Sequence, residues 1–404
     1  MRIKPPHQVL SIALCALALA TGPVLADKKY GPGVSDAEIK VGQTAPYSGP
    51  ASAFALIARA EAAYFDKINA EGGVYGRKIK LISLDDAYSP PKTVEQTRRL
   101  VEQEEVLIVF GSVGTAANAA IQRYLNTKKV PHLFVGSTDA KFSDPTHFPW
   151  SMGWPPTVQI EAPIYAKFIL ANSPNGKIAV LFQNDDGGKD AIKAFKAGLG
   201  DRAGMVVAEA SYEVTDPTVD SQIVTLKGSG ADVFVNFSGP KFAAQAIRKV
   251  YDIGWRPSLH ILMGASRSVS SVLRPAGLDK SVGIITSAFL KDPSDPHWKD
   301  DPSMKEFSAW MTKYYPGGDP GEYYNVSGYS FAQTLVQVLK QCGDDLTRDN
   351  AMRQAANLKN LELPMLLPGI RINTSPTDYL PIKQLELQRF DGKQWVLFGE
   401  VQGL

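Results

Sequence analysis

Cysteine is almost missing from this sequence: 404 residues contain two, Cys15 and Cys342. Cys15 lies in an N-terminal segment expected to be removed, which leaves Cys342 alone and no disulfide within the mature chain. A chain without disulfides must bury a core of its own, and this one is long enough to do so, with two domains expected from length. Histidine is scarce as well. The five residues are scattered and form no His/Cys/Asp set at ligand spacing, so no metal site is expected. The 43 Lys and Arg are balanced by 41 Asp and Glu. They form no basic cluster of the density that nucleic-acid binding requires. Beyond the N-terminus no apolar run approaches the ~20 residues of a membrane span. There is no P-loop, no H-E-x-x-H and no G-x-S-x-G elbow, so neither a cofactor nor a catalytic residue is assigned.

What is present begins with a leader. Arg2 and Lys4 precede the apolar run Val9 to Leu19, and Gly22-Pro23 and Val24-Leu25-Ala26 follow. A basic start, a short apolar stretch and small residues read as a secretory signal peptide, cut after Ala26. Simple removal is expected over lipid attachment at Cys15. The mature chain is placed in the periplasm.

Leu107 to Asn126, LIVFGSVGTAANAAIQRYLN, organises the rest. Val106 to Phe110 is an unbroken apolar run, as in a strand buried on both faces. GSVGTAAN follows, and Ala116 to Leu125 has helical spacing. Such a unit sets the unpaired N–H groups of a helix start at the carboxyl end of a strand, which suits an anion. Thr115 adds a hydroxyl, and Gly114 would let a ligand approach the backbone closely. One unit later, Val130 to Val135 ends in Gly136-Ser137-Thr138. In an open α/β sheet the two loops share one crevice.

The same rhythm runs through most of the chain. Lys78 to Leu84 reads as a strand. Ala51 to Ala70 reads as a helix, as does Thr93 to Glu104 with Thr93 as N-cap. Phe148 to Pro156, with three prolines and two tryptophans, breaks the pattern: either a covered loop or a crossover with Trp154 near the cleft. A second series follows, with strands at Lys177–Phe182, Met205–Ala210, Asp232–Phe237 and His260–Met263. From Gly283 the chain turns irregular, and later helices precede a terminal hairpin at Asp391-Gly392. Alternating strands and helices imply parallel sheets. Asp85-Asp86 and Asp185-Asp186 are adjacent acids at strand ends, where capping a turn is commoner than acid–base chemistry.

These motifs together resemble the substrate-binding proteins of branched-chain-amino-acid-type ABC importers, the Leu/Ile/Val-binding class. The resemblance rests on IKVGQTAPYSGPAS, FDKINAEGGVYGRKIKLISLDDAYSP, VFGSVGTAA, FVGSTDA, MGW, AVLFQNDDGGKD and the tail LPGIRINTSPTDYLPIKQLELQRFDGKQW. It implies an α/β fold of two doubly wound parallel-sheet lobes joined by a three-segment hinge, closing on a ligand. The lobes are expected at 27–152 plus 289–362 and at 153–288 plus 363–404, after the signal peptide at 1–26. Carried over by motif, Gly114, Thr115, Gly136 and Thr138 hold a ligand carboxylate, and Phe54 and Trp154 lie against its body. From the second lobe Gly187, Ser238 and Ser266 are the candidates. Gly187 stands where amino-acid binders present a Tyr, which would make room. The acid that pairs with a ligand ammonium is missing from Gly264-Ala265-Ser266-Arg267. A buried ammonium with no carboxylate would be costly. The expected ligand is therefore a small carboxylate with an aromatic or apolar body, with an amino acid as the alternative. Tyr88 and Gly114 stand where the family's common disulfide would be. The expected partner is a membrane-embedded ABC permease, or else a signalling receptor, and the protein is expected to be a monomer and not an enzyme.

Overall fold

The computed structural model describes residues 1–3 and 28–403. The expected leader, with Cys15 and the cleavage site at Ala26, falls outside the described residues apart from its first three. In chain order the main elements are β1 (Glu38–Ala45), α1 (Ala55–Ala70), β2 (Lys78–Asp85), α2 (Pro90–Glu102), β3 (Ile108–Phe110), α3 (Thr115–Thr127), β4 (His132–Val135) and β5 (Ser151–Gly153). Next come α4 (Val158–Asn172), β6 (Ile178–Gln183), α5 (Asp186–Leu199), β7 (Val206–Tyr212), α6 (Asp220–Gly228), β8 (Val233–Phe237), α7 (Pro240–Asp252), β9 (Leu259–Leu262) and β10 (Ile285–Ala288). The chain finishes with α8 (Pro302–Tyr314), α9 (Tyr323–Cys342), α10 (Arg348–Ala355), β11 (Gln384–Phe390) and β12 (Trp395–Gly403).

Two main sheets result, ordered β2-β1-β3-β4-β5 and β12-β11-β10-β9-β8-β6-β7, beside a two-stranded pairing of Lys29–Tyr30 with Asp345–Leu346. The first is parallel throughout. The second is parallel from β7 to β10, and β11 and β12 close it as an antiparallel hairpin. Val106 to Phe110 is fully buried, as a strand covered on both faces must be. The chain passes between the lobes after β5, after β10 and before β11. The segment that follows β10 pairs with residues 365–367, through Lys291 N–H to Met365 O (2.8 Å) and Leu367 N–H to Phe289 O (3.0 Å).

Four readings of the sequence need correction. Thr93 does not cap α2: the helix starts at Pro90-Pro91, whose fixed φ suits a first turn, and the Thr93 hydroxyl donates to Asp86 Oδ2 (3.0 Å). Gly283 does not open an irregular stretch, because Ile285–Ala288 is a buried central strand. Ser151–Gly153 is a strand as well, too short to show between prolines and tryptophans. Finally, Leu363, Met365, Leu366, Leu367, Ile370, Ile372 and Ile382 pack into the first lobe's core. The stretch 363–382 thus sits with the first lobe, not the second, because its apolar side chains are buried there.

Candidate functional site

The two Gly-rich turns at the carboxyl ends of β3 and β4 are stitched together. Gly114 N–H donates to Gly136 O (3.1 Å) and Gly136 N–H to Ser112 O (2.9 Å). The donors of both glycines are thereby used within the protein. Open donors remain at the start of α3, where Thr115 and Ala116 have no intrahelical partner, and at Thr138 N–H, which makes no hydrogen bond among the described residues. The hydroxyls of Thr115 and Ser137 lie 2.7 Å apart at the same place. Gly114 has a φ of 109°. The space its missing Cβ leaves is filled by the ring of Tyr88, 2.4 Å from where that Cβ would stand. Gly114 therefore admits Tyr88, not the ligand.

These turns form one wall of a cavity of about 160 Å³ between the lobes. That is the size class that holds a single small ring. Of the nine sequence candidates, Phe54, Gly114, Thr115, Gly136, Thr138 and Gly187 line it. Phe54 meets Tyr324 edge-on, with ring centroids 5.3 Å apart. Phe237, Phe289, Phe331 and Met263 extend the apolar lining, and no Lys or Arg is part of it.

Three candidates lie elsewhere. Trp154 is fully buried behind the wall, with its ring 4.2 Å from that of Phe331 and its Nε1–H donating to Thr334 Oγ1 (2.9 Å). The segment Phe148 to Pro156 is a crossover, as the second alternative had it, but Trp154 packs in the core, as the first had it, and does not line the cavity. Ser266 and Ser238 are also buried beneath the lining, the Ser266 hydroxyl donating to Ser238 O (2.6 Å). They tie two strand-end turns together and do not face the cavity.

Gly187 also behaves differently from expectation. A Cβ there would lie 2.7 Å from Thr115 Oγ1. The space left by the missing side chain is taken by Thr115 of the opposite lobe, so it adds no room for a ligand. Beside it, Asp186 forms an ion pair with Lys141 of the first lobe at 2.6 Å. Asp185 caps α5, accepting from Gly188 N–H (2.9 Å) and from Gln183 Nε2 (2.6 Å). The other acid pair, Asp85-Asp86, holds a turn: Asp85 takes Ser48, Ala87 and Lys92, and Asp86 takes Tyr88 N–H and Thr93.

The cavity does contain acids, although Gly264–Arg267 has none: Asp185, already engaged in capping α5, and Glu161. Glu161, in the first turn of α4, lines it. Its Oε1 receives Gly264 N–H (2.8 Å), the Ser287 hydroxyl (2.6 Å) and the Tyr165 hydroxyl (2.8 Å). Oε2 makes no hydrogen bond among the described residues and is left to the cavity. Burial raises the carboxyl's pKa against the pull of these donors. The premise that the cleft lacks an acid is therefore wrong. Sequence reading looked at the strand end, whereas the acid reaches that strand end from a helix. The available signal was a lone acid in the run VQIEAPIYA, where Gln159 is the one other polar side chain besides the Tyr165 hydroxyl. Tyr88, Tyr323 and Tyr324 were missed too, because nothing local marks an aromatic as facing a cleft.

Residues 38–394 match the family described as periplasmic binding protein. The chain belongs to that family. A Leu/Ile/Val-binding protein homolog 7 from Brucella abortus (strain 2308) is 26% identical over 367 residues, covering 87% of this chain and 86% of its own. Among solved structures, a branched chain amino acid ABC transporter protein from Thermus thermophilus with bound valine aligns with TM-score 0.82 at 15% identity, covering 92% of this chain and 98% of its own. A solute-binding protein of an ABC transporter from R. palustris in complex with 4-hydroxybenzoate aligns with TM-score 0.75 at 20% identity, covering 91% and 97%. The type I periplasmic binding protein fold and the Leu/Ile/Val-binding class expected from the motifs are thus borne out. Members of this family are solute-binding proteins, not enzymes, work with ABC transporters, and act outside the cytoplasm. No helix among the described residues is long and apolar enough to cross a membrane.

Proposed function

We propose that this periplasmic binding protein captures a small carboxylate with an aromatic or apolar body between its lobes and delivers it to an ABC permease. The observation that carries this reading is the pairing of open main-chain donors at Thr115 and Thr138 with a lining rich in aromatic and apolar side chains that, among the described residues, contains no Lys or Arg. Main-chain donors at a helix start stabilise an anion without a counter-charge. The aromatic wall suits a ring, and the cavity matches one in size. Export by the leader at 1–26, a monomeric state and delivery to a permease rather than to a signalling receptor belong to the same reading.

A second reading is favoured by Glu161. Its open Oε2 could receive an ammonium, in which case the ligand is a branched-chain or other amino acid. Thermal-shift and calorimetric titrations with benzoate, 4-hydroxybenzoate, L-leucine and L-valine decide between them. Binding of the aromatic acids alone supports the first reading. Binding of leucine or valine alone replaces it with the second, and no response to any of the four overturns both.

A further inference from the structure

The cradle is held from behind by two side chains that line no part of the cavity. Asn118, fully buried one turn into α3, donates from Nδ2 to Ser112 O (2.9 Å) and to Gly114 O (2.7 Å). Both amide protons are then engaged, so Oδ1 can only accept. It lies 2.9 Å from Nε2 of the buried His132 in β4. The imidazole must therefore carry its proton on Nε2. Its Nδ1 is buried without a partner among the described residues, so a second proton has nowhere to bond. Burial accordingly holds the His132 pKa down to about 3.

The consequence for the site follows from peptide planarity. Gly114 C=O and Thr115 N–H belong to one trans peptide unit and point in opposite directions. Gly114 O accepts from Asn118 N–H (3.2 Å) as well as from Nδ2, so main chain and side chain of Asn118 together anchor this carbonyl and aim the Thr115 N–H away from Asn118, toward the cavity that Thr115 lines; the side-chain bond is the part that a substitution removes. The Ser112 carbonyl is fixed by the same amide and also takes Gly136 N–H, so the second turn is tied to the first.

From this arrangement we infer that Asn118, oriented by His132, is the positioning residue of the cradle and sets the cleft's preference for a carboxylate over a neutral amide of the same shape. The inference rests on the carboxylate reading above. A residue that only supported the fold would lower the melting temperature or weaken all ligands alike. A positioning residue changes the ratio between the acid and its amide.

The test is calorimetric titration of two pairs, 4-hydroxybenzoate with 4-hydroxybenzamide and L-valine with L-valinamide. The proteins are wild type, Asn118→Leu, His132→Phe and His132→Gln. Wild type should prefer the acid in at least one pair. Asn118→Leu should cut that preference about tenfold, as expected for misaiming a hydrogen bond to a charge, with amide affinity moving less than about threefold. His132→Phe should cut it as well, and His132→Gln, whose amide can still donate to Asn118 Oδ1, should restore it. A folded Asn118→Leu that keeps the wild-type ratio overturns the inference and leaves the carboxylate reading standing. If Asn118→Leu does not fold, equal ratios in His132→Phe and His132→Gln overturn it. A wild type with no preference in either pair removes the carboxylate reading itself, and this inference with it.

Discussion

Thr115 of the first lobe fills the space left open by Gly187 of the second: a Cβ on Gly187 would stand 2.7 Å from Thr115 Oγ1. The contact exists only with the lobes together, and it sits at the edge of the cradle. Gly187→Ala should therefore separate two quantities that usually move together. Alanine favours a helix over glycine by about 1 kcal/mol, so the protein should melt slightly higher. Closure would be overpacked by about 1 to 3 kcal/mol, and ligand affinity should fall at least about fivefold. Melting curves and calorimetry check both signs, and unchanged affinity would show that closure tolerates the methyl.

Removing the hydroxyl at the same contact tests the cradle directly. Thr115→Ala should weaken carboxylate binding by about 1.5 to 3 kcal/mol, the range for one hydrogen bond to a charge. An affinity equal to wild type would mean that main-chain donors and Ser137 suffice alone.

Glu161 gives a pH signature with opposite signs for the two ligand classes. Burial raises its pKa, so it is neutral at low pH and ionises as pH rises. For a carboxylate without a cation, affinity should fall through that ionisation, and Glu161→Gln should abolish the fall while leaving low-pH affinity within about threefold. Affinity of L-valine that instead rises with pH, and is lost in Glu161→Gln, would assign the cleft to amino acids.

Two imidazoles, His132 fully buried and His260 half-buried, should make the fold acid-sensitive. Burial lowers the pKa of His132 and of His260 to about 3. An unfolded chain binds those protons near pH 6.5, so between about 3 and 6.5 the unfolded state takes up protons that the folded state refuses. Stability should then drop as pH falls, by at most about 1.4 kcal/mol per pH unit for each histidine. Buried acids with raised pKa, such as Glu61 and Glu161, act in the opposite direction. The measurement is thus the difference between wild type and His132→Gln across that window, and a difference independent of pH would refute the prediction.

The Lys141–Asp186 pair spans the lobes at 2.6 Å, yet the Asp186 side chain is 63% exposed. Solvent screening limits such a pair to about 0.5 kcal/mol. Lys141→Ala should weaken binding about twofold at low salt, with no difference from wild type near 1 M salt. A larger, salt-independent loss would point to a role beyond charge.

How far the sequence reached can be judged from particular residues. The apolar run Val106–Phe110 followed by GSVGTAAN marked the cradle, because a doubly buried strand and a helix start leave a local pattern. Thr115 and Thr138 were legible for that reason. Trp154 was ambiguous, since bulk and proline neighbours are shared by core and cleft. Ser238 and Ser266 were misplaced because a strand-end serine can face up into the crevice or down into the turn.

The sequence by itself determined the alternation of strands and helices, the two Gly-rich turns and hence the family, since each is written in nearest neighbours and short periods. Only the tertiary structure decided that Tyr88 fills the gap at Gly114, that Thr115 closes on Gly187, and that Glu161 brings an acid to a strand end that lacks one. Those three pairings join residues 26, 72 and about 100 positions apart in the chain. Their geometry follows from how the sheets, helices and lobes pack, which no local pattern encodes.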